Sequence, residues 1–286
     1  MIPDSAHIGL IAGGRNLPLY VAEAVKQRGL PLTIIEIDPD CPAGRFEDSR
    51  RLPLVKFGKI LKHLQKTGVT HVCMAGRVGR PDFGSFKPDV SAMRYLPGTI
   101  KAARAGDDAL LRHVMGIFEA NGFQILPAQT LCESLLLPEG SLGSVGLSAA
   151  HRSDAEQAMK IASLIGKADI GQGAIVAKGV VLAVEAQEGT DAMLDRVATL
   201  PAALCGTYSS RAGVLAKRLK PDQDRRVDLP TLGPNTVQLA AEAGLAGIIA
   251  DAGEAFVIDR EETVRLANHY GMFIVGLPKQ SRRDAA

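Results

Sequence analysis

A short apolar run that stops at two glycines most constrains how this chain can fold. Ile8–Ala12 ends at Gly13-Gly14, Leu17–Gln27 follows with apolar residues at helical spacing, and Leu32–Ile37 is rich in β-branched residues. A strand, a glycine turn, an amphipathic helix and a second strand make a βαβ unit. Because such a unit needs a crossover helix between parallel strands, the start of the chain predicts a parallel sheet.

The alternation of helix and strand continues beyond this unit. A helix is predicted near Lys59–Lys66 and a strand over Val69–Ala75, which closes on Gly76. A further helix over Asp107–Asn121 precedes a short strand over Gln124–Leu126. Residues 1–137 are therefore predicted to form one doubly wound α/β domain with helices on both faces of the sheet.

A second domain, residues 149–286, is predicted after a Gly- and Ser-rich linker over residues 138–148. It opens with an amphipathic helix over Ser153–Ile165, for which Ser153 is a plausible N-cap. Ala174–Ala177 and Val180–Ala186, separated by Lys178-Gly179, indicate a β-hairpin. The remaining predicted elements are strands at Gly213–Ala216, Ala246–Ala250, Phe256–Asp259 and Phe273–Val275, and helices at Thr236–Ala243 and Arg260–Tyr270.

Charge and cysteine usage exclude several classes of protein. The 33 basic and 31 acidic residues give a net charge of +2, whereas general nucleic-acid binding usually needs a basic face. The four cysteines are widely spaced and form no CxxC or Cys/His ligand pattern, so neither a zinc site nor a disulfide framework is expected. No apolar run approaches the roughly 20 residues of a membrane-spanning helix, and the N-terminus does not resemble a signal peptide. We expect a cytoplasmic protein, for which contact with a membrane surface stays open.

The stretch Lys217–Thr236 concentrates charge in a segment without apolar periodicity. It carries five cations, three prolines and three carboxylates, Asp222, Asp224 and Asp228. A loop that holds both signs of charge beside rigid turns suits metal-assisted phosphate chemistry, although a solvated surface loop has the same composition. Asp228, on a turn stiffened by Pro230, is the first candidate for the essential acid and Asp224 the second, whereas Asp222 follows Pro221 and suits a turn.

Glycine turns and arginines of the first domain are candidates for phosphate contacts. Gly13-Gly14 presents either backbone N–H groups to a phosphate or a tight turn with no ligand. Arg77 and Arg80 follow a predicted strand and so fall at the carboxyl edge of the sheet, where ligands bind in open α/β folds. Asp107 and Asp108 head a helix, where one suits an N-cap and the other a metal or a ribose hydroxyl.

Acids and amides also gather around the predicted hairpin of the second domain. They are Asp169, Gln172, Glu185, Glu188 and Asp191. Glu185 points either to solvent or into a cleft, and Glu188 and Asp191 with Thr190 could simply cap a helix. Oxygen ligands of this kind suit a hard cation such as Mg²⁺.

Several enzyme signatures are absent from the sequence. It contains no GxGxxG, no P-loop, no GxSxG and no HExxH, and its six histidines have no metal-ligand spacing. Covalent catalysis by Ser or Cys is therefore disfavoured, as is an NAD(P)-linked oxidoreductase.

Six motifs occur in an order that resembles one family. They are GLIAGG, GRVGRP, GDDALLRH, LLLPEGSLG, GQGAIVAKGVVLAVEAQEGTDAML and KPDQDRRVDLPTLGPNT. This order is similar to that of the LpxI family of UDP-2,3-diacylglucosamine pyrophosphatases, and the resemblance covers essentially the whole chain.

The resemblance implies a cytoplasmic, metal-dependent enzyme of lipid A synthesis. It implies hydrolysis of UDP-2,3-diacylglucosamine to UMP and 2,3-diacylglucosamine 1-phosphate (lipid X), with water attacking the β-phosphorus. It further implies Mg²⁺ (or Mn²⁺ or Co²⁺) as cofactor, a homodimer, no nucleic-acid partner, and contact with the inner face of the inner membrane. The fold it implies is a Rossmann-like N-terminal domain and a mixed α/β C-terminal domain joined by a hinge, with substrate held between them.

Residues and resemblance together assign roles to individual side chains. Catalysis is assigned to Asp228, Asp224 and Arg225, and the metal to Asp228, Asp224 and Asp191. Substrate binding is assigned to Gly13, Gly14, Arg77, Arg80, Asp108, Gln172, Glu185, Thr190, Lys217 and Arg226. The alternative from another class is a carrier or sensor that binds the nucleotide or lipid without hydrolysing it.

Overall fold

The computed structural model describes residues 2–38, 44–78, 92–220, 223–226 and 229–278. The chain divides into two compact units. The N-terminal unit comprises Met1–Glu133 together with Asp224–Asp228, and the C-terminal unit comprises Ser134–Gln223 and Leu229–Ala286. Asp224–Asp228, part of the charged segment Lys217–Thr236 that was expected in the second domain, therefore belongs to the N-terminal unit.

The N-terminal unit is an α/β domain built on a parallel sheet. Its strands are β1 (Ile8–Ala12), β2 (Leu32–Glu36), β3 (Arg50–Arg51), β4 (His71–Ala75) and β5 (Gln124–Ile125), and its helices are α1 (Leu17–Gln27), α2 (Phe57–Lys66), α3 (Leu96–Ala105), α4 (Asp107–Ala120) and α5 (Ala128–Leu131). In the described part of the chain the strand order is β3-β2-β1-β4-β5, with every neighbouring pair parallel. This order reverses between β1 and β4, and the Rossmann-like prediction is confirmed.

Continuous apolar strands hold this sheet in the middle of the unit. All five residues of β1 are buried, as expected for a central parallel strand with both faces covered. One face packs Ile35, Ile60, Leu64 and Phe118 into a common core. Each such side chain, once removed from water, contributes about 1.5–3 kcal/mol. The core therefore fixes where the loops at the carboxyl edge of the sheet must lie.

The C-terminal unit is a mixed α/β domain. Its strands are β6 (Gly140–Ser141), β7 (Gly173–Ala177), β8 (Val180–Val184), β9 (Val214–Lys217), β10 (Thr231–Leu232), β11 (Gly247–Asp251), β12 (Phe256–Val257) and β13 (Phe273–Leu277), and its helices are α6 (Ala149–Lys167), α7 (Thr190–Ala198), α8 (Pro234–Glu242) and α9 (Arg260–His269). Within the described residues the main sheet has the order β6-β13-β11-β9-β7-β8. Its three central strands are parallel, while β6, β7 and β8 are antiparallel to their neighbours.

Helices cover both faces of this second sheet. Met193 of α7 and Val237 of α8 join Leu215 in one apolar core, whereas Ala158 of α6 packs with Val214 and Ala216 in the other. Alternate residues of β9 thus enter opposite cores, as the two-residue period of a strand requires. The same alternation decides which polar residues at the end of β9 share a face.

Three sequence expectations differ from the structure in this unit. The segment expected as a linker contains β6, which pairs with β13. Helix α6 begins at Ala149 with Ser148 at its N-cap, so Ser153 lies inside the helix. Lys217, expected to begin a loop, is the last residue of β9 and is buried. β6 and the end of β9 at Lys217 are both defined by pairing with distant strands, which the local sequence does not encode.

Candidate functional site

The two glycine turns at the carboxyl edge of the N-terminal sheet contact each other directly. Gly13 N donates to Ala75 O at 2.8 Å, Gly14 N donates to Arg77 O at 2.7 Å, and Arg77 N donates back to Gly14 O at 3.1 Å. A Cβ at Gly13 would lie 2.5 Å from Arg77 O, so this close approach requires glycine. Because both amide N–H groups already donate to backbone carbonyls, a phosphate at this turn would need other hydrogen-bond donors. The predicted substrate contacts of Gly13 and Gly14 stay predictions.

An arginine that the sequence analysis missed reaches the same turn. Arg45 Nη1 donates to Gly13 O at 2.8 Å, and Arg77, whose backbone contacts Gly14, is exposed. Arginine presents a fork of N–H donors that suits phosphate. Arg45 could not be found from the sequence because it lies in an irregular segment with no motif that points to it.

Asp108 is held at the start of α4 and faces the charged segment. Its side chain is buried, its Oδ2 lies 2.6 Å from Arg112 Nη2, and its Oδ1 accepts from Asp224 N at 3.4 Å. An acid in the first turn of a helix is stabilised by the helix dipole. Asp108, predicted to bind substrate, therefore positions the backbone of the segment that begins at Asp224.

Asp224 is bound by the arginine two residues later. Arg226 Nε lies 3.0 Å from Oδ1, its Nη2 lies 2.8 Å from Oδ2, and its backbone N donates to Oδ1 at 2.9 Å. These hydrogen bonds from the Arg226 side chain, against an opposing effect of burial, lower the pKa of Asp224. Asp224 is thus an ionised carboxylate whose two oxygens are both engaged.

Two more contacts hold this segment within the N-terminal unit. Arg226 Nη1 lies 2.8 Å from Glu119 Oε1 on α4, and Gln129 Nε2 donates to Arg225 O at 2.6 Å. The structure therefore brings Asp108, Asp224 and Arg226 together. The other predicted residues of this charged set, Asp222, Asp228 and Arg80, lie outside the described residues.

In the C-terminal unit Glu185 is buried next to the start of α7. Its side chain is only 6% exposed, so the solvent-facing alternative is wrong. Thr190 Oγ1 donates to its Oε1 at 2.9 Å. Its Oε2 is enclosed without a hydrogen-bond partner among the described residues. A buried, half-satisfied carboxylate is costly and indicates a missing water, ion or ligand group.

Gly173 makes room for that carboxylate. Glu185 N donates to Gly173 O at 2.8 Å, which aligns the two residues across β7 and the end of β8. A Cβ at Gly173 would lie 2.5 Å from Glu185 Oε2. Gly173 is also paired with Lys217 on its other side, so Glu185 and Lys217 flank it on one face of the sheet.

Lys217 is a buried cation at the carboxyl end of β9. It is 5% exposed, and its Nζ donates to Thr231 O at 3.3 Å. A buried ammonium needs polar partners to offset the loss of hydration. Its position places one positive group on the same face as Glu185, in agreement with a polar site at this edge of the sheet.

Arg218, the residue after Lys217, links two further polar residues. Arg218 Nε lies 2.9 Å from Asp251 Oδ2, and Arg218 N donates to Gln172 O at 2.8 Å. Gln172 Oε1 is buried and, among the described residues, has no hydrogen-bond partner. Asp191 lies in the first turn of α7. Gln172, Glu185, Thr190 and Lys217 thus fall at one edge of the sheet, which brings Lys217 of the charged stretch close to the residues around the hairpin.

The predicted metal ligands Asp228, Asp224 and Asp191 stay a prediction, because Asp228 lies outside the described residues. No group of three or more His, Cys, Asp or Glu side chains placed to hold a metal ion occurs among those residues. Asp224 is ion-paired with Arg226 in the N-terminal unit, and Asp191 lies in the first turn of α7 in the C-terminal unit. Of the buried carboxylates discussed above, Glu185 has the oxygen that fits a hard cation, because Oε2 is buried and lacks a partner.

Comparison with known proteins decides the family. Residues 7–135 match the LpxI N-terminal domain and residues 138–275 match the LpxI C-terminal domain. A protein of Caulobacter vibrioides named UDP-2,3-diacylglucosamine pyrophosphatase LpxI is 46% identical over 279 residues, which cover 96% of this chain and 99% of that protein. The chain belongs to the LpxI family.

The two LpxI domain matches correspond closely to the two structural units. The boundary between them, after residue 135, falls two residues beyond Glu133, where the first continuous stretch of the N-terminal unit ends. The charged segment lies within the match to the LpxI C-terminal domain, yet Asp224–Asp228 is part of the N-terminal unit. In the described part of this LpxI-family chain, no helix is long and apolar enough to cross a membrane.

Proposed function

We propose that this protein hydrolyses the pyrophosphate of UDP-2,3-diacylglucosamine to UMP and lipid X in lipid A biosynthesis. The observation that carries the proposal is the 46% identity, over 96% of the chain, to a protein named for that pyrophosphatase activity. A relative that matches along 99% of its own length leaves no domain of the relative uncovered. Both units described above are therefore available for the activity.

The N-terminal unit supplies positive charge suited to a pyrophosphate. Arg226 is ion-paired with both Asp224 and Glu119, which hold its guanidinium in a fixed orientation. Charge increases on the phosphoryl oxygens as the anhydride breaks, and a preoriented arginine stabilises that charge without reorganisation. Arg225, with its backbone fixed by Gln129, is the second cation that this segment offers.

In this proposal Asp224 orients Arg226 and does not itself act on phosphorus. Both of its oxygens accept from the guanidinium, and its lowered pKa makes it a weak base. Asp228 remains the proposed essential acid. It lies outside the described residues, so its assignment depends on the sequence argument alone.

The C-terminal unit offers Glu185 and Lys217 for the polar part of the substrate. Lys217 is a point charge suited to a phosphate oxygen, and Glu185 Oε2 is an acceptor in need of a donor or a cation. Thr190 fixes the Glu185 carboxylate through its Oε1. These residues bind and orient in our proposal, while water is the nucleophile at the β-phosphorus.

A divalent cation, Mg²⁺ or alternatively Mn²⁺ or Co²⁺, is part of the proposal. Mg²⁺ is commonly held by one or two carboxylates together with phosphate oxygens of the substrate. Glu185 would be one such carboxylate, because its buried Oε2 lacks a partner among the described residues. When bound, the cation would neutralise phosphate charge and lower the pKa of a coordinated water. A cytoplasmic location, peripheral membrane contact and a homodimer complete the proposal.

The direct test is release of UMP from the lipid substrate by the purified protein. We expect release with Mg²⁺, loss of release with excess chelator, and recovery when Mg²⁺ is restored. Asp228→Ala should abolish it, whereas Glu47→Gln, a change at an exposed side chain, should not alter it. Tight retention of the substrate without any UMP release would instead support the carrier alternative.

A further inference from the structure

Asp38 lies where nucleotide-binding α/β folds place an acidic residue for ribose. β2 runs parallel to β1 and ends at Glu36, Ile37 N still donates to Ala12 O at 3.0 Å, and Asp38 comes next. Asp38 is therefore the first side chain beyond the carboxyl edge of β2. In folds of this strand order, an acid at the end of the second strand accepts hydrogen bonds from ribose hydroxyls.

The carboxylate of Asp38 lies over the glycine turn that follows β1. An ideal Cβ at Gly14 would be 2.6 Å from Asp38 Oδ2. The absence of a side chain at Gly14 thus gives the carboxylate its place, at the start of the connection from β1 to α1. The side chain is half-buried and can be reached from solvent.

Cations lie on the same turn. Arg45 Nη1 contacts Gly13 O at 2.8 Å, and Arg77 follows β4 and is bridged through its backbone to Gly14. β1 and β4 are the strands between which the order of the sheet reverses, the point where ligands bind in open parallel sheets. A carboxylate for a vicinal diol and the Arg45 guanidinium for phosphate therefore occur at one location, and the backbone of Arg77 lies beside them.

We propose that Asp38 binds the ribose hydroxyls of a ribonucleotide at the Gly13-Gly14 turn, with Arg45 and Arg77 facing its phosphate. The inference rests on the proposed function, in which the nucleotide is the UMP portion of the substrate. It assigns a ribose contact to a residue outside the charged segment and the hairpin. The sequence analysis did not single out Asp38, because the local pattern does not show that its carboxylate lies close to Gly14.

The test is binding of UMP and 2′-deoxyUMP to the full-length protein by isothermal titration calorimetry. A hydrogen bond to an ionised carboxylate makes the wild type prefer UMP by about 10- to 100-fold. In Asp38→Asn, which keeps the shape but loses the charge, the preference should fall to about threefold or less. In Gly14→Ala the new methyl group displaces the carboxylate, and the same loss is expected although Asp38 is intact.

Glu47→Gln is the matched control, since it removes an exposed carboxylate from the same unit, with a side chain 95% exposed. It should keep the wild-type ratio of the affinity for UMP to the affinity for 2′-deoxyUMP. An unchanged ratio in Asp38→Asn, or no UMP binding by the wild type, would overturn the inference. If Asp38→Asn fails to fold, the ratio in Gly14→Ala decides. If the protein releases UMP from the lipid substrate but Asp38→Asn keeps the wild-type preference for UMP over 2′-deoxyUMP, only the ribose site is refuted. If the preference depends on Asp38 but the protein releases no UMP from the lipid substrate, only the hydrolysis is refuted.

Discussion

Asp224 and Arg226, two residues apart, form a two-pronged ion pair in which Nε lies 3.0 Å from Oδ1 and Nη2 lies 2.8 Å from Oδ2. A carboxylate engaged in this way fixes the orientation of the guanidinium that it binds. The charged segment Lys217–Thr236 therefore presents an oriented guanidinium at Arg226. This ion pair is the reason why the proposed function gives Asp224 a positioning role.

The first prediction concerns the coupling within this pair. Asp224→Asn and Arg226→Met should each lower kcat/KM for UMP release roughly tenfold, because each change removes charge-assisted hydrogen bonds. The double variant should be little worse than either single one, since both break the same contact. Glu119→Gln, which removes a partner that is 45% exposed, should cost less than about threefold. Additive losses in the double variant would contradict the assigned role of Asp224.

The second prediction concerns acid sensitivity. Arg226 lowers the pKa of Asp224 below its ordinary value of 3.8. A group whose pKa is depressed on folding stabilises the native state fully above its unfolded pKa, and that stabilisation is lost as the pH falls through the folded pKa. The difference in unfolding free energy between wild type and Asp224→Asn should be constant above about pH 5 and shrink below about pH 4. Carboxyl-detected NMR should place the Asp224 midpoint below the ordinary value, and a midpoint at or above it would contradict the pairing.

The third prediction concerns Gly173. Gly173→Ala would put a methyl group 2.5 Å from Glu185 Oε2 and 3.3 Å from Met193 Cε. We expect a loss of about 1–3 kcal/mol in unfolding free energy from overpacking, together with reduced UMP release. Urea denaturation measures the first and a turnover assay the second.

Gly116→Ala is the control for that change. Gly116 lies within α4, and no atom lies within 4 Å of its ideal Cβ position. Alanine there should be neutral or should stabilise by up to about 1 kcal/mol. If both variants behaved alike, Gly173 would not be needed for the placement of Glu185.

The fourth prediction concerns the buried thiols Cys73, Cys132 and Cys205. Burial raises the pKa of Cys73 far above its usual range, and burial raises that of Cys132 to about 11 despite the nearby Arg28. Because the thiolate is the reactive form, Cys73 and Cys132 should resist alkylation at about pH 8, and Cys205 should resist it because it is buried. Iodoacetamide followed by mass spectrometry should leave all three unmodified in the native protein and modify them after unfolding. Rapid native labelling of any of them would contradict the packing of its core.

Most of the fold could be predicted from local sequence. β1 and α1 begin and end where the apolar pattern and the glycine turn predicted, because burial of an entire strand and one helix face leaves a strong periodic signal. Helix α3 was missed and β6 was taken for a linker. β6 is two residues long and is defined by pairing with β13, which no local pattern reveals.

The site could be predicted only in part. Gln172 and Glu185 were named because acids and amides gather around the predicted hairpin, and Lys217 because it belongs to the charged stretch. Their position at one edge of the sheet depends on strand pairing that the local sequence does not show. Asp38 and Arg45 were missed, since their proximity to the Gly13-Gly14 turn depends on tertiary packing. For Asp224 the sequence indicated a charged loop, but it did not show that Arg226 donates hydrogen bonds to both carboxylate oxygens.

The central claim is hydrolysis of the anhydride with water attacking the β-phosphorus. The most direct measurement is mass spectrometry of both products after turnover of UDP-2,3-diacylglucosamine in ¹⁸O-labelled water with Mg²⁺. Our account predicts that the label enters the phosphate of lipid X and that UMP is unlabelled. Label in UMP would contradict the site of attack, and the absence of both products would contradict the proposed function itself.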